Sequence, residues 1–463
     1  MNKSDALVFF GITGDLANKK VIPSLYTMVR RGRLDVPVVG VAKAGWGLDQ
    51  LKERVRQSVE HAGNGTYDQA ALDKLLSLLR YVDGDYADTA TYDSVSKELG
   101  AAQAATFYLA IPPSLFGVVV KGLGDAGCAG GARVVVEKPF GRDLPSAQEL
   151  NEVLHTVFAE SQIFRIDHYL GKEETQNILY MRFANSLLEP IWNRTHVASI
   201  EITMSEDFGV EGRGTFYDAV GCLRDVIENH LFQLVALLAM DPPVDGSAEA
   251  QRDEKGKVFK AMRSLRSGDM VRGQYEGYRD EKGVAPDSDT ETFCALKLWV
   301  DSWRWAGVPW YLRAGKNLAV HATEVVIELK PPPHKVFAGD TEPSMTNYVR
   351  FQLNPRVTIA IGVRVKVPGE GFTGEHRELV LHDDHPEEMG PYERLLGDAM
   401  EGDSALFARV DSVEAAWRVV DPVLADHDPA IAYAVGSCGP PQADDLIAVD
   451  GGWHQLVAEQ ADG

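Results

Sequence analysis

The residues that could bind an anion most directly lie at the end of one predicted strand. Residues 165–173 read Arg-Ile-Asp-His-Tyr-Leu-Gly-Lys-Glu; an apolar and aromatic run over 163–169 predicts a strand, and Lys172 opens a predicted helix. His168 and Lys172 supply positive charge beside the amides of the first helical turn, which favours a phosphate site. On the strand, Asp167 would point to the opposite face and could serve a different purpose.

A glycine turn after the first predicted strand is the second candidate site. The apolar run 6–10 leads into the turn, and a helix is predicted over 19–29. Strand, glycine turn and helix in this order are the context that a pyrophosphate loop requires, although tight turns also use glycine for positive φ. We therefore expect a dinucleotide site formed by Gly11, Ile12, Thr13, Gly14, Asp15 and Leu16.

The residue after the second predicted strand bears on the choice of dinucleotide. Strand 37–41 is followed by Ala42 and Lys43, at the place where an acidic side chain selects the ribose 2′-hydroxyl and a cation accepts a 2′-phosphate. Lys43 is a cation with no acid at that point in the sequence, and this favours NADP, with NAD as the alternative. A solvated loop lysine is the other interpretation of Lys43.

Two further predicted strands end where the same ligand would lie. Strand 105–111 stops at Pro112, and strand 132–137 stops at Lys138 and Pro139, because proline cannot continue a ladder. The carboxyl ends of strands in a doubly wound sheet line the ligand crevice. We therefore expect Lys138 at that crevice.

A long helix predicted over 215–240 contains one histidine. Its apolar residues recur every three or four positions, and His230 lies on the flank of this stripe, whereas Asp225 lies on a different face. Taken alone, His230 is typical of a core histidine with its hydrogen bonds satisfied. Glu206, Asp225 and Lys316, each taken alone, are typical of surface charges.

The length of the chain predicts two domains, since 463 residues exceed one ordinary core. Residues 1–168 alternate strands and helices, which predicts an α/β, Rossmann-like doubly wound domain. Residues 169–463 predict a larger α+β domain for substrate binding and dimerisation, with a mainly antiparallel sheet covered by helices. Its strands are expected at 198–204, 292–300, 324–329, 348–353, 357–367 and 377–381.

Composition excludes several classes of function. The net charge of −22 disfavours binding to nucleic acid or anionic lipid, and no apolar run reaches the length of a membrane span. The four cysteines have no paired spacing, which argues against disulfides or a zinc site and favours the reducing cytoplasm. An anionic ligand must therefore be held by local cations.

These motifs together resemble the signatures of the glucose-6-phosphate dehydrogenase family, and further matches run from Gly11 to Pro440. Residues 224–230, Arg-Asp-Val-Ile-Glu-Asn-His, are similar to a second signature of that family. The resemblance implies oxidation of D-glucose 6-phosphate at C1 to 6-phospho-D-glucono-1,5-lactone with NADP, the first step of the oxidative pentose phosphate pathway. It also implies a homodimer or a dimer of dimers.

The resemblance implies roles for individual residues as well. His230 would be the base that removes the proton of the C1 hydroxyl, and Asp167 would orient it. Lys138 would lie between coenzyme and sugar, and Pro139 would follow a cis peptide. The remaining substrate contacts would be His168, Tyr169 and Lys172 for the 6-phosphate, Glu206 and Asp225 for ring hydroxyls, and Lys316 and His321 near the sugar.

Five residues depart from the family pattern. These are Lys43, where arginine is more frequent, and His321, where a second arginine or lysine is usual, besides Ile12 and Thr13, where small residues are usual; the fifth is Asn18, where lysine is common. His321 would weaken sugar affinity or relax selectivity for one hydroxyl. Two alternatives stay open: a related dehydrogenase of another sugar or sugar phosphate, and a non-catalytic paralogue that binds sugar phosphate.

Overall fold

The chain forms two compact units. The computed structural model describes residues 3–334, 336, 337, 347–369, 371–382 and 389–456. The first unit comprises Met1–Glu173, Pro243–Asp253 and Glu388–Glu414, and the second comprises Glu174–Pro242, Glu254–Glu387 and Ala415–Gly463.

Two late segments of the chain, beyond the predicted boundary at residue 168, also belong to the first unit. They are 243–253 and 388–414. The second of them returns because the helix Pro391–Glu401 places Leu395 and Leu396 in the same core as Leu7. Burial of such side chains stabilises the fold by about 25 cal/mol per Å² of apolar surface. Local sequence patterns do not reveal that the chain returns to the first unit.

The first unit is built on a six-stranded parallel sheet. The strand order is β3-β2-β1-β4-β5-β6, and β1, β2, β4 and β5 are buried along their whole length. The predicted Rossmann-like doubly wound class is confirmed. The strands are β1 Ala6–Phe10, β2 Val38–Ala42, β3 Leu79–Asp83, β4 Ala105–Leu109, β5 Arg133–Glu137 and β6 Ile163–Ile166.

The second unit is built on a nine-stranded sheet in the order β14-β13-β12-β11-β7-β10-β9-β8-β15. Among the described strands of this sheet, only the pairs β7–β10 and β8–β15 are parallel, so the predicted mainly antiparallel sheet is confirmed. The strands are β7 Val197–Ser205, β8 Met270–Tyr275, β9 Phe293–Trp299, β10 Pro309–Gly315, β11 Ala322–Leu329, β12 Tyr348–Asn354, β13 Thr358–Lys366, β14 Gly374–His382 and β15 Ile431–Tyr433.

Strand β10 lies inside this sheet, between β7 and β9, and was absent from the predicted set, as were β8 and β15. All seven residues of β10 are buried, so the strand lacks the alternation of apolar and polar residues by which half-buried strands were identified. It also begins at Pro309, and a proline normally argues against a central strand.

Local sequence features explain where several of the helices begin. Asp68 and Asp143 cap α3 and α6 by accepting hydrogen bonds from main-chain amides of the first turn, and Pro391 begins α11, where its missing N–H costs nothing. The α-helices are α1 Ile22–Arg30, α2 Leu48–Ala62, α3 Gln69–Leu78, α4 Thr89–Leu99, α5 Phe116–Asp125, α6 Leu144–His155, α7 Glu173–Phe183, α8 Gly214–Cys222, α9 Phe232–Ala239, α10 Ala248–Ala261, α11 Pro391–Glu401, α12 Val410–Ala425 and α13 Gln442–Ile447.

The helix predicted over 215–240 is interrupted. It consists of α8, a π-helix π2 (Leu223–Leu231) and α9. Gly221 has φ +73° and ψ 173°, which breaks the helical path at the end of α8. The regular 3.6-residue spacing used for His230 and Asp225 was therefore wrong within π2, because each π turn holds an extra residue.

The strand predicted over 163–169 ends earlier, at Ile166. Asp167 caps a short 3₁₀ turn, His168–Gly171, and its side chain accepts a hydrogen bond from the Tyr169 amide at 3.0 Å. The expectation that Asp167 and His168 point to opposite faces of a strand was therefore wrong. A short polar side chain that caps the next turn competes with continuation of the strand.

No helix in the described part of the chain is long and apolar enough to cross a membrane. The cysteines Cys128, Cys222, Cys294 and Cys438 are free thiols, and Cys222 and Cys294 are buried.

Candidate active site

The glycine turn after β1 has the form that a pyrophosphate loop needs. Gly11 has φ +82°, and a Cβ there would lie 2.2 Å from the Ala110 carbonyl oxygen, so only glycine fits. Gly14 is exposed, and its amide donates to the Gly11 oxygen at 2.9 Å. The chain then enters a short π-helix, π1 (Ala17–Val21). A dinucleotide can approach the backbone closely at these glycines, so the loop fits the cofactor.

Ile12 points away from the surface of this loop. It is 1% exposed, and its Cγ2 lies 2.9 Å from the position of a Cβ on Gly40 of β2. The side chain therefore packs in the core, and only the main chain of Ile12 is available to a ligand. Asp15 is exposed and pairs with Lys19 at 3.4 Å.

Lys43 follows β2 directly, as predicted, but it has an acidic partner from another loop. Its Nζ lies 2.6 Å from Oδ2 of Asp85, which follows β3. Both side chains are largely exposed. The ion pair raises the pKa of Lys43, and the amide of Ala87 together with Lys43 lowers the pKa of Asp85.

Asp83, the last residue of β3, holds the loop after Lys43. Its carboxylate accepts hydrogen bonds from the amides of Ala44, Gly45 and Trp46 at 3.0, 2.8 and 3.4 Å. The Ala44 amide is the main cause of a lowered pKa of Asp83. The loop is thereby fixed around an ionised carboxylate.

Lys138 stands at the end of β5, and the Lys138–Pro139 peptide is cis, as predicted. The preceding residue, Glu137, is buried and accepts hydrogen bonds from the hydroxyls of Tyr108 and Tyr392. Burial raises the pKa of Glu137 to about 7. Because β5 and β6 pair in parallel, with Glu137 opposite Ile166, Lys138 and Asp167 emerge from neighbouring strand ends.

The turn 168–171 and Lys172, which follows it, carry the three predicted phosphate ligands within the first unit. The His168 ring stacks on Tyr392 with centroids 6.1 Å apart, and Lys172 Nζ lies 4.7 Å from the centroid of the Tyr169 ring. At Gly171 a Cβ would lie 2.8 Å from the Pro391 oxygen. This glycine lets α11 pack closely against the turn and bring Tyr392 to His168.

In the second unit the structure joins Glu206 to Lys316. The Lys316 Nζ donates to Glu206 Oε2 at 2.5 Å, and it lies 5.1 and 5.3 Å from the ring centroids of Phe208 and Tyr217. Glu206 follows β7 and Lys316 follows β10, and these parallel strands are neighbours. Their common sheet edge explains why two residues 110 positions apart form one cluster.

Asp225 and His230 both lie on π2. His230 is buried and Asp225 is half-buried. The extra residue of each π turn opens the main-chain ladder, and Asn229 donates from its side chain to the Arg224 carbonyl at 2.6 Å. Such helices are rare and occur frequently at functional sites.

The start of π2 is fixed by Glu291, which is buried. Its Oε1 accepts from the Leu223 amide at 3.1 Å, and its main-chain oxygen accepts from the Cys222 amide at 2.9 Å. Arg272 donates to Glu291 Oε2 at 2.8 Å. At Gly221 a Cβ would lie 2.5 Å from Glu291 Oε1, so this break in the helix requires glycine.

His321 lies beside Asp207 and Phe208. Its Nδ1 is 3.9 Å from Asp207 Oδ1, and its ring centroid is 5.6 Å from that of Phe208. The side chain is 42% exposed. It is placed to accept or donate a hydrogen bond at the rim of the Glu206–Lys316 cluster.

Two family models together match nearly the whole chain. The NAD binding domain of glucose-6-phosphate dehydrogenase matches residues 8–177, and the C-terminal domain of glucose-6-phosphate dehydrogenase matches residues 179–454. The chain belongs to the glucose-6-phosphate dehydrogenase family.

Individual relatives in this family are similar over their full length. Glucose-6-phosphate 1-dehydrogenase 1 of Mycobacterium tuberculosis strain H37Rv is 44% identical over 454 residues, which are 97% of this chain and 96% of the relative. The crystal structure of glucose-6-phosphate 1-dehydrogenase from Mycobacterium avium has 43% identity and a TM-score of 0.93, covering 99% of this chain and 100% of that one. A glucose-6-phosphate dehydrogenase solved in complex with its substrate glucose-6-phosphate has 33% identity and a TM-score of 0.90, with the same coverage.

Four residues that contact the predicted site residues or fix the elements that carry them were not singled out from the sequence: Glu137, Tyr392, Glu291 and Asp85. Tyr392 had a signal, because residues 392–396 match the family without any chemistry that the sequence could assign. The other three had no signal in the sequence. Asp85 and Glu291 lie far along the chain from the groups they contact, and Glu137 looks like an ordinary strand residue.

Proposed function

We propose that this chain oxidises D-glucose 6-phosphate at C1 to 6-phospho-D-glucono-1,5-lactone, with NADP as the hydride acceptor. The observation that carries the proposal is the match over 99% of the chain to an enzyme solved with glucose-6-phosphate. The glycine loop and the cationic turn at His168 and Lys172 supply a place for each of the two anionic ligands. This reaction is the first step of the oxidative pentose phosphate pathway.

His230 is proposed as the general base. The reaction breaks the C1–H bond, whose electron pair leaves as hydride, and the C1 hydroxyl loses its proton to the base as the carbonyl forms. When bound, the oxidised nicotinamide supplies the hydride acceptor. A histidine suits proton removal near neutral pH, and Asp167 would orient the ring and stabilise its protonated form.

The phosphate of the sugar is assigned to His168, Tyr169 and Lys172. Lys172 is a point charge held above the Tyr169 ring, and the His168 ring is aligned by Tyr392. A ligand with negative charge would gain from both cations. Tyr392 is therefore proposed as a positioning residue for His168.

The sugar hydroxyls are assigned to Glu206, Asp225 and Lys316, with His321 at the rim and Lys138 toward the cofactor. Because Glu206 and Lys316 already form an ion pair, a hydroxyl that bridges them would accept from the lysine and donate to the carboxylate. The ion pair would thus fix the orientation of the hydroxyl group, because the hydroxyl can donate its hydrogen only to Glu206. His321 offers a weaker contact than the arginine or lysine usual in the family.

The cofactor is assigned to the first unit. The loop of Gly11, Ile12, Thr13, Gly14, Asp15 and Leu16 would hold the pyrophosphate through main-chain amides, and Lys43 would meet the adenosine ribose. NADP is the proposed cofactor, and NAD is a second acceptor. Residues 1–168 are proposed as the functional cofactor domain, with 169–463 supplying the sugar site and the dimer interface.

A homodimer or a dimer of dimers, formed through the second unit, is part of the proposal. Strand β14 is an edge strand that leaves Leu379, Val380 and Leu381 between 47% and 63% exposed. Exposed apolar edges of this kind are normally covered. We place the protein in the cytoplasm, which the free thiols support.

The test is steady-state reduction of NADP and of NAD by the purified full chain, with glucose 6-phosphate and with free glucose, followed by the absorbance of the reduced nicotinamide. Turnover with the phosphorylated sugar alone supports the proposal. Turnover with free glucose at equal efficiency would indicate a different sugar dehydrogenase. No turnover in a folded protein that binds nucleotide would favour the non-catalytic paralogue.

A further inference from the structure

We propose that Asp85 lowers the preference of this enzyme for NADP over NAD, by pairing with the cation that would otherwise bind the 2′-phosphate. The inference rests on the proposed function, because it assumes that the ribose lies beside Lys43. It assigns a specificity-determining role to a residue outside the glycine loop and outside the loop that follows β2.

The cation at this edge of the first unit is already neutralised. Lys43 Nζ lies 2.6 Å from Asp85 Oδ2, and Lys43 is the only lysine or arginine in the loop 43–47. The carboxylate is itself held in place, because Asp85 Oδ1 accepts from the Ala87 amide at 3.0 Å. A 2′-phosphate must therefore displace or share a preformed partner of Lys43.

The segment that carries Asp85 is anchored to both loops of the predicted cofactor site. Asp83 accepts from three amides of the loop after Lys43. The Tyr86 hydroxyl accepts from the Gly11 amide at 3.1 Å and donates to the Val41 carbonyl at 3.3 Å. The position of Asp85 is thus set by contacts on either side of it.

The charge balance at this edge weakens its preference for a phosphate over a hydroxyl. Asp83 and Asp85 bring two carboxylates to one cation, Lys43, so the local balance is negative. The carboxylate of Asp83 is kept ionised by the amides that surround it. A phosphate meets repulsion from both acids, whereas a ribose 2′-hydroxyl can donate a hydrogen bond to a carboxylate, as in NAD-selective sites.

The test is isothermal titration of the full chain with 2′,5′-ADP and with 5′-ADP, which differ only in the 2′-phosphate. Asp85→Asn keeps the acceptor for the Ala87 amide and removes the charge. We expect this variant to bind 2′,5′-ADP about two- to fivefold more tightly, the size of an exposed ion pair, with unchanged affinity for 5′-ADP. Lys43→Ala should weaken binding of 2′,5′-ADP alone.

Asp125→Asn is the matched control, because Asp125 forms an exposed ion pair with Lys121 elsewhere in the first unit. It should leave both affinities unchanged. If wild-type protein binds both nucleotides and Asp85→Asn does not tighten 2′,5′-ADP, this inference is overturned and the proposed function stands. If folded wild-type protein binds neither nucleotide, the proposed cofactor site fails and the inference fails with it.

Discussion

The two units place their candidate site residues in different ways. In the first unit the residues follow buried parallel strands: the glycine turn follows β1, Lys43 follows β2 and Lys138 follows β5. In the second unit Asp225 and His230 lie on a π-helix between a broken α-helix and a regular one. Sheet topology sets the first arrangement and also places Glu206 and Lys316 in the second unit, whereas the π-helix depends on contacts from distant residues.

This difference indicates where each unit is vulnerable. Strand ends of a doubly wound sheet are held by the whole sheet, so single changes there should alter binding and leave the backbone in place. The start of π2 is held by Glu291 and by the backbone freedom of Gly221. A small change at that point should move several site residues together.

The largest expected effect comes from the second unit. His230→Asn should lower kcat by about a thousandfold with little change in KM, because general base catalysis is typically worth 10²–10⁴. Steady-state kinetics with glucose 6-phosphate and NADP provides the measurement. His196→Asn is the control, since His196 is exposed in the same unit. An undiminished kcat in His230→Asn would remove this residue as the base.

The matching change in the first unit should act on binding. Lys172→Ala should raise KM for glucose 6-phosphate about ten- to a hundredfold, because a hydrogen bond to a charged group is worth about 1.5–3 kcal/mol. Its kcat should change much less. An equal loss of efficiency toward free glucose would contradict a phosphate contact, and Lys20→Ala, on the exposed side of π1, is the control.

A third prediction concerns Gly221, where the helical path breaks before π2. Gly221→Ala should destabilise the protein by about 1–3 kcal/mol, because alanine is strained at φ +73°, and its Cβ would meet the Glu291 carboxylate. The kcat should fall as well, since Asp225 and His230 follow directly on π2. Urea denaturation and kinetics are the measurements.

Gly268→Ala is the control for this change, because nothing lies within 4 Å of a Cβ built there. A Gly221→Ala variant with wild-type stability and kcat would show that the second unit does not depend on this break. The contrast drawn between the two units would then fail.

The last prediction is a pH dependence of stability in the first unit. The folded pKa of Glu137 is about 7, raised by burial above its ordinary value of 4.5. The neutral form of Glu137 therefore stabilises the folded state at low pH. This contribution to the free energy of unfolding is fully present below about pH 4.5, is lost as pH rises through 7, and is about 3 kcal/mol at most. Glu137→Gln cannot ionise, so its Tm relative to wild type should rise between pH 5 and pH 8.

Two further variants sharpen this test. Glu201→Gln should behave similarly in the second unit, because burial also raises the pKa of Glu201 to about 7. Glu53→Gln, exposed on α2, should show no pH-dependent difference. A Tm difference for Glu137→Gln that stays constant from pH 5 to pH 8 would contradict the burial argument.

The sequence predicted the first unit closely because its signals are local. The strand at 6–10 and the cis peptide before Pro139 were confirmed, and the family and fold class were confirmed by the comparisons. A buried parallel strand followed by a glycine turn is visible in a few consecutive residues.

The second unit was predicted less well because its determinants are distant in the chain. The break at Gly221 depends on Glu291, 70 residues later. Strand β10 is buried along its whole length, so its sequence lacks the alternation of apolar and polar residues that would identify a strand. The partner of Lys316, Glu206, is likewise supplied by another loop. Periodicity reports on one element at a time, whereas these contacts arise from tertiary packing.

The most direct measurement of the central claim follows the hydride itself. The full chain would be incubated with NADP and glucose 6-phosphate carrying deuterium at C1, and the reduced nicotinamide would be analysed by mass spectrometry and NMR. The account predicts one deuterium at C4 of the nicotinamide for each lactone formed. Reduced nicotinamide without deuterium, or no reduction at all, would contradict oxidation at C1 by this protein.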